Sequence, residues 1–436
     1  MNGWWRQATA AVCAGLAGTL AATAADAPGA VAIDPPAGVY PEAGEEIAVT
    51  LSAAEGCAIY YTLDGSRPVC TNAAGEVLWS PTVQEYTGPL ALANGRDDGP
   101  DAISRIMTGA NEQDIYDPWY PPAEPPRTIP VLRAAAVDAE GRVGPIATAS
   151  YLLGSMATRH GSAPVVSLCA EWADLFDNVN GPGIYRHPTA ANKSKVPNAH
   201  VEYFADGARR FAKWCELRVQ GTSTVGRPKK SLRLTGWKDY NPVKGKKDPF
   251  DHPFFADKPD VRKHACLIVR MGGNDWNKAI LRDRLAELLL ADPEVEWEAG
   301  ATCVLYLDGV YWGIHELRER YESGFFKNQL GIADSDAFTL LEYADGKPFP
   351  QVNEGLGEDD EERTSAAYAD FDAILRQLEA WDDDLTDPDC WTWFTNRINP
   401  DSLLRHFAGE LYAGNSDWPQ NNQRWWRAWP DGDAGS

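Results

Sequence analysis

The 436-residue chain has no Cys-x-x-Cys pair, a deficit of basic residues, and no long apolar run beyond its first two dozen positions. Each absence closes off a class of function. Eight cysteines without that spacing argue against a zinc ribbon or a dithiol redox site. Lys and Arg number 40 against 63 Asp and Glu, a formal net charge of −23. That is the wrong sign for a nucleic-acid partner. No later segment approaches the roughly 20 apolar residues of a membrane-spanning helix. No fixed-period repeat is present, so a solenoid is excluded.

What is there is globular: 44% hydrophobic and 24% charged residues, in a length that suits two or three domains. Seventeen tryptophans, many in loop-like stretches, suit extracellular or carbohydrate-facing surfaces as well as cores. Residues 1–24 read as a secretory signal. Arg6 is the one charge ahead of the Ala/Val/Leu/Gly run Ala8–Ala22, and Ala22-Thr23-Ala24 fits the small-x-small cleavage rule. A secreted, cell-surface or periplasmic location is therefore expected. Export permits disulfides. Cys57 and Cys70 flank the hairpin-like stretch Ile59–Pro68 and are the leading candidate pair.

After a Pro/Ala/Gly linker, 25–38, the pattern is all-β through 39–153. Ile47–Leu51 alternates, Ala58–Leu63 runs into Asp64-Gly65, and Val131–Val137 and Ala147–Leu153 supply the last strands. Asn94–Arg127, with six prolines and no periodicity, is expected to be a surface loop. The segment Tyr60-Tyr61-Thr62-Leu63-Asp64-Gly65-Ser66-x-Pro68, with Tyr86-Thr87-Gly88-Pro89 and Leu132–Asp138, resembles the chitobiase/β-hexosaminidase C-terminal-type module. That family is a small immunoglobulin-like β-sandwich with no catalytic residue. The resemblance implies a spacer or docking role, with glycan or cell-surface contact as an extra.

A linker is expected at 154–163 and a second domain at 164–436. Its strands are read at Pro164–Leu168, His200–Phe204, Cys215–Gly221 and Ser231–Leu234. Asp275–Ala291 reads as the clearest helix, with Asp275 as N-cap, and Ala366–Trp381 and Asp401–Ala413 as two more. Thr302–Leu307, Asp308-Gly309 and Val310–Leu317 spell the strongest hairpin. Strands first and helices later imply an α+β fold.

Three groups could carry chemistry. Gly221 and Gly226 have the separation of a P-loop, but Arg227-Pro228 stands in the Lys-Ser/Thr slot and proline lacks a backbone donor, so Walker A is rejected. A glycine-rich turn followed by Lys229 and Lys230 entering a strand still offers point charges for phosphate. Asn274-Asp275 leads to Arg282, which reaches either solvent or an anion. Glu316 and Glu319 are candidates to fix a lysine's ammonium, while His315 reads as a hairpin or surface histidine. Near the end, Asp417 and Asn422 stand five apart in a loop between a helix and a strand. In protein kinases that spacing places a hydroxyl-orienting Asp beside a metal-binding Asn; Asp and Asn also form ordinary turns.

In this order the groups resemble the CotH kinase family, the spore-coat-protein-H-type atypical protein kinases. The resemblance rests on Arg218-x-x-Gly221-x-Ser223 before Lys229-Lys230-Ser231, on Asn274-Asp275 before Arg282, on Tyr306-x-Asp308-Gly309-x-Tyr311-Trp312-Gly313-Ile314 before Glu319, and on Asp417 with Asn421-Asn422. It covers roughly Pro164 to the end. It implies a kinase-like domain behind an immunoglobulin-like β-sandwich, using ATP with Mg²⁺ or Mn²⁺ to phosphorylate Ser or Thr of a partner protein. Asp417 would be the catalytic aspartate, Asn422 with Asn421 the metal ligands, and Lys229 or Lys230, with Arg218, Arg282 and Glu319, the nucleotide-binding set. The family continues with a Trp-x-Asp-x-Asp-type segment, whereas this sequence stops at Ser436, just after Pro430–Asp433. The domain is therefore read as C-terminally truncated, with its metal-binding aspartate beyond Ser436 and its activity lost or severely weakened. The rival reading is a non-catalytic extracellular scaffold or cell-wall/glycan-binding protein with a kinase-like domain.

Overall fold

The computed structural model describes residues 27–71, 77–100, 102–108, 120–177, 183–185, 197–221, 223–238, 248–291, 295–332, 334, 337–343, 351–355, 361–382, 384–419 and 422–429. The fold is α+β and mostly strands, as expected. It forms two compact units that interleave along the chain. The first comprises Met1–Phe250, Cys266–Leu281 and Ala301–Arg318, and the second Asp251–Ala265, Arg282–Gly300 and Glu319–Ser436. Among the described residues no helix is long and apolar enough to cross a membrane.

The first unit opens with a β-sandwich. One sheet has the order Ala32–Asp34, Glu46–Ser52, Leu90–Ala93; the other runs Gly38–Tyr40, Ala147–Leu153, Val131–Val137, Ala58–Thr62, Gln84–Glu85. Alternate residues of both sheets, Val49, Leu51, Ile59, Tyr61, Leu132, Ala134 and Tyr151 among them, close over one core. Burial of such side chains contributes about 1.5–3 kcal/mol each. Val131–Val137 is buried on both faces. Its outer face carries Arg133, whose Nη1 donates to Gly65 O at 2.7 Å and whose guanidinium stacks over Trp214. No disulfide joins any two of the seven described cysteines. The expected Cys57–Cys70 pairing is thus corrected: Cys57 packs toward the sandwich core, while Cys70 sits in the separate two-stranded ladder Val69–Thr71/Val77–Trp79.

A nine-stranded sheet follows, ordered Cys266–Arg270, Ser231–Gly236, Ala208–Gln220, Asn198–Ala205, Val165–Ala170, Gly300–Leu307, Val310–Arg318, Arg127–Thr128, Gly95–Arg96. Cys266–Arg270 also pairs with Val310–Arg318 (Val269↔Leu317), so the sheet closes on itself. The ends of the proline-rich insertion are strands, not loop: Arg127–Thr128 pairs with Gly95–Arg96, and Thr128 with Val310. Residues 154–158, expected as linker, form a short helix that buries Met156. The hairpin turn Asp308-Gly309 forms with both residues at positive φ, as an Asp-Gly turn requires.

In the second unit, Phe338–Tyr343 is flanked by Gln351–Gly355 and Gln423–Ala428. Phe325, Phe326, Phe338 and Leu340 make its core, with Trp426 edge-on to Phe326. Helices span Arg282–Leu289, Ser323–Gln329, Glu361–Ala380, Pro388–Thr395 and Pro400–Ala413. The predicted helix Asp275–Ala291 is corrected to Arg282–Leu289. Asp275 closes a 3-10 turn and accepts from Ala279 N at 3.3 Å, and Ile280, at φ +66°, breaks the helical path before it begins.

Candidate functional site

The Asp417 loop is built by local rules. Asn399 caps the helix Pro400–Ala413, accepting from Asp401 N and Ser402 N, and Pro400 takes the first helical position. Gly414 ends it in the left-handed conformation. Asn415 then reaches back to Glu410 Oε2 at 2.7 Å and accepts from Asp417 N at 3.0 Å. Trp418, buried, donates from its indole to His406 and packs edge-on to Phe407, which ties the loop to the helix. Asn422, at φ +56°, donates its amide to Asp417 Oδ2 at 2.7 Å. Asparagine is among the few non-glycine residues that adopt this conformation readily. The sequence therefore brings Asp417 and Asn422 together as expected, both exposed. Asn421 and Asp433 lie outside the described residues.

The lysine pair belongs to the first unit. Both residues precede the strand Ser231–Gly236, in the bend after the 3-10 turn Ser223–Gly226. Lys230 is fully buried, and its Nζ donates to Thr108 O at 2.7 Å and Arg227 O at 2.5 Å. Lys229 is half-buried. Its Nζ fills the space over Gly313 where a side chain would sit, and Gly313 lies at φ +98°. Among the described residues no acceptor bonds the Lys229 ammonium. The pair thus divides: Lys230 is a clasp on two carbonyls, and Lys229 is the cation open to a ligand. Burial lowers the pKa of both, that of Lys230 to about 7.

A folded pKa of about 7 against a usual value of 10.5 means the unfolded chain binds more protons above neutrality. Stability should therefore rise with pH from about 7 toward 10, by up to roughly 1.4 kcal/mol per pH unit, and Lys230→Met should remove that rise. Urea titrations of both proteins at several pH values check it; parallel profiles would contradict it.

Arg218 is held by Glu216, Nε to Oε1 at 2.6 Å. Arg282 is exposed and opens the helix Arg282–Leu289, whose buried arginine is instead Arg284, paired with Asp257. Glu319 is 2% exposed and fully engaged by Lys258 Nζ at 3.0 Å, Gln329 Nε2 at 2.6 Å, the Ala299 amide at 2.9 Å and His264 Nδ1 at 3.4 Å. Burial alone would raise its pKa, but the bond to His264, the charge of Lys258 and the Ala299 amide outweigh burial and lower it. Lys258 completes its shell with Trp297 O and Gln329 Oε1. A buried lysine–glutamate pair is present, but its lysine is one that no motif marks. His315, read as a hairpin or surface histidine, is fully buried.

Asn422 is placed to offer an oxygen to a divalent cation. Its amide nitrogen is committed to Asp417, which leaves the carbonyl oxygen available as a hard donor. One or two protein oxygens plus substrate phosphates are what Mg²⁺ usually takes. Asp417 and Asn422 fit that pattern.

A paired Asp and Asn after a capped helix, and an open lysine over a hairpin glycine, are the marks on which a kinase family model can be judged. The model described as CotH kinase protein matches residues 217–434. The chain belongs to the CotH kinase protein family. The match spans half of the sequence and takes in Arg218, Lys229, Glu319, Asp417 and Asn422. The model described as Fn3 associated matches residues 48–151, the β-sandwich. The expected N-terminal module is thus present, under a different family description from the chitobiase type. No curated protein matches the chain.

Proposed function

We propose that this CotH kinase family member is an exported ATP-dependent protein kinase acting on Ser or Thr hydroxyls. The observation that carries the reading is the 2.7 Å bond from Asn422 to Asp417. It fixes a carboxylate on an exposed loop, where a protein substrate has access, and aligns a carboxamide beside it. Asp417 orients the substrate hydroxyl and takes its proton as the phosphoryl group leaves ATP. Within the first unit, Lys229 offers positive charge to a phosphate, because its ammonium has no acceptor among the described residues. Mg²⁺ or Mn²⁺, held in part by Asn422 Oδ1, would neutralise charge on the transferring group. Export rests on Arg6 and the Ala8–Ala22 run. Transfer of labelled γ-phosphate from ATP to a Ser/Thr protein substrate tests the reading, with Asp417→Ala as the decisive variant. Transfer that survives in Asp417→Ala removes the loop from the mechanism.

A further inference from the structure

Beside Lys229 stands a second polar group with incomplete bonding. His315 is fully buried, and its Nδ1 lies 3.2 Å from Gly313 O. A carbonyl only accepts, so Nδ1 carries a proton and Nε2 of the neutral ring keeps a lone pair. Among the described residues Nε2 meets no partner. Gly313 and His315 share a face of the strand Val310–Arg318, two residues apart, and Lys229 Nζ lies over that glycine. Buried polar atoms are nearly always bonded, so an open imidazole nitrogen and an open ammonium at one glycine mark a place where something else binds. Burial and the neighbouring Lys229 charge keep the ring neutral, its pKa pushed down to about 3.

We propose that His315 is a second phosphate-contacting group, which takes up one proton from solvent when nucleotide binds and donates it from Nε2–H to a phosphate oxygen. The inference rests on the kinase reading above. A phosphate oxygen accepts and cannot donate, so it conflicts with a lone pair on Nε2 and suits an imidazolium. The nucleotide's negative charge also cancels the Lys229 repulsion that disfavours the proton. The other charged groups nearby do not supply this. Glu316 and Arg318 lie on the opposite face of the same strand, 4.0 Å apart. Arg270, on the paired strand opposite Glu316, directs its guanidinium toward Gly273. No covalent bond changes; one proton moves from solvent to Nε2.

Calorimetry of Mg²⁺–ADP binding to the full chain, in two buffers of different ionisation enthalpy near neutral pH, tests the proposal. The expected result is uptake of about one more proton by the wild type than by His315→Gln, which keeps an N–H donor but does not titrate. Affinity of the wild type should fall up to about tenfold per pH unit between the free and the liganded imidazole's pKa, and that of the variant should stay flat. Equal proton uptake in the two proteins overturns the proposal and leaves the kinase reading standing. Absence of any nucleotide binding overturns both. Should His315→Gln fail to fold, imidazole ¹⁵N signals of the wild type decide: conversion of one buried histidine to the protonated form on adding ADP supports the proposal, and no conversion defeats it.

Discussion

Asp417→Ala is expected to lower phosphate transfer about 10²–10⁴-fold, the usual contribution of a positioned general base. The fold should hardly notice. Asp417 is exposed, and loss of its bond to Asn422 should cost about 1 kcal/mol. Asp417→Asn separates two roles. It retains an acceptor for the Asn422 amide, yet it cannot take a proton. If orientation of the hydroxyl dominates, Asp417→Asn should recover much of the rate; if proton removal dominates, it should match alanine. Initial rates at saturating ATP, alongside thermal melts of each variant, make the measurement. A melt that falls by many degrees would mean the loop is structural first.

Glu319→Ala should have the opposite signature, a large loss of stability. Glu319 neutralises Lys258, whose ammonium lies 4.6 Å from the Trp297 ring centre and 5.1 Å from that of Phe325. Removing one partner of such a pair leaves a buried charge uncompensated, which costs about 3–5 kcal/mol. The pH dependence follows from the lowered carboxyl pKa. The contribution is fully present above the unfolded carboxylate value of about 4.3 and fades as pH falls through the folded value. Wild type and variant should therefore differ most at neutral pH and converge in acid. Denaturant midpoints at both ends of that range check this. A neutral Glu319→Ala would mean that Lys258 is satisfied by Trp297 O and Gln329 alone.

Much of the fold is legible where local chemistry decides it. Asp308-Gly309 announces its hairpin, Asn399-Pro400 and Gly414 bracket their helix, and Val131–Val137 is a strand at the predicted ends. The Asp417–Asn422 contact is likewise local, five residues apart. What escaped the sequence is long-range. The role of Lys230 depends on Thr108, 122 residues upstream, inside a stretch whose prolines suggested only loop. Alternation along a strand cannot separate Lys229 from Lys230, because both sit in the bend before it. Lys258 finds Glu319 across 61 residues and belongs to no motif. Apolar spacing over Asp275–Ala291 predicted one helix, but it carries no sign of the backbone reversal at Ile280. Even so, Gly313 offered a usable clue, since a glycine after Trp312 in a strand marks a place where another group comes close.

Asn422 is proposed to help hold the metal of bound Mg²⁺–ATP. Isotherms of Mg²⁺–ATP binding to the wild type and to Asn422→Ala test this most directly. One binding event is predicted in the wild type, weakened about tenfold or more by the substitution, a loss of about 1.4 kcal/mol. Unchanged affinity in Asn422→Ala would contradict it.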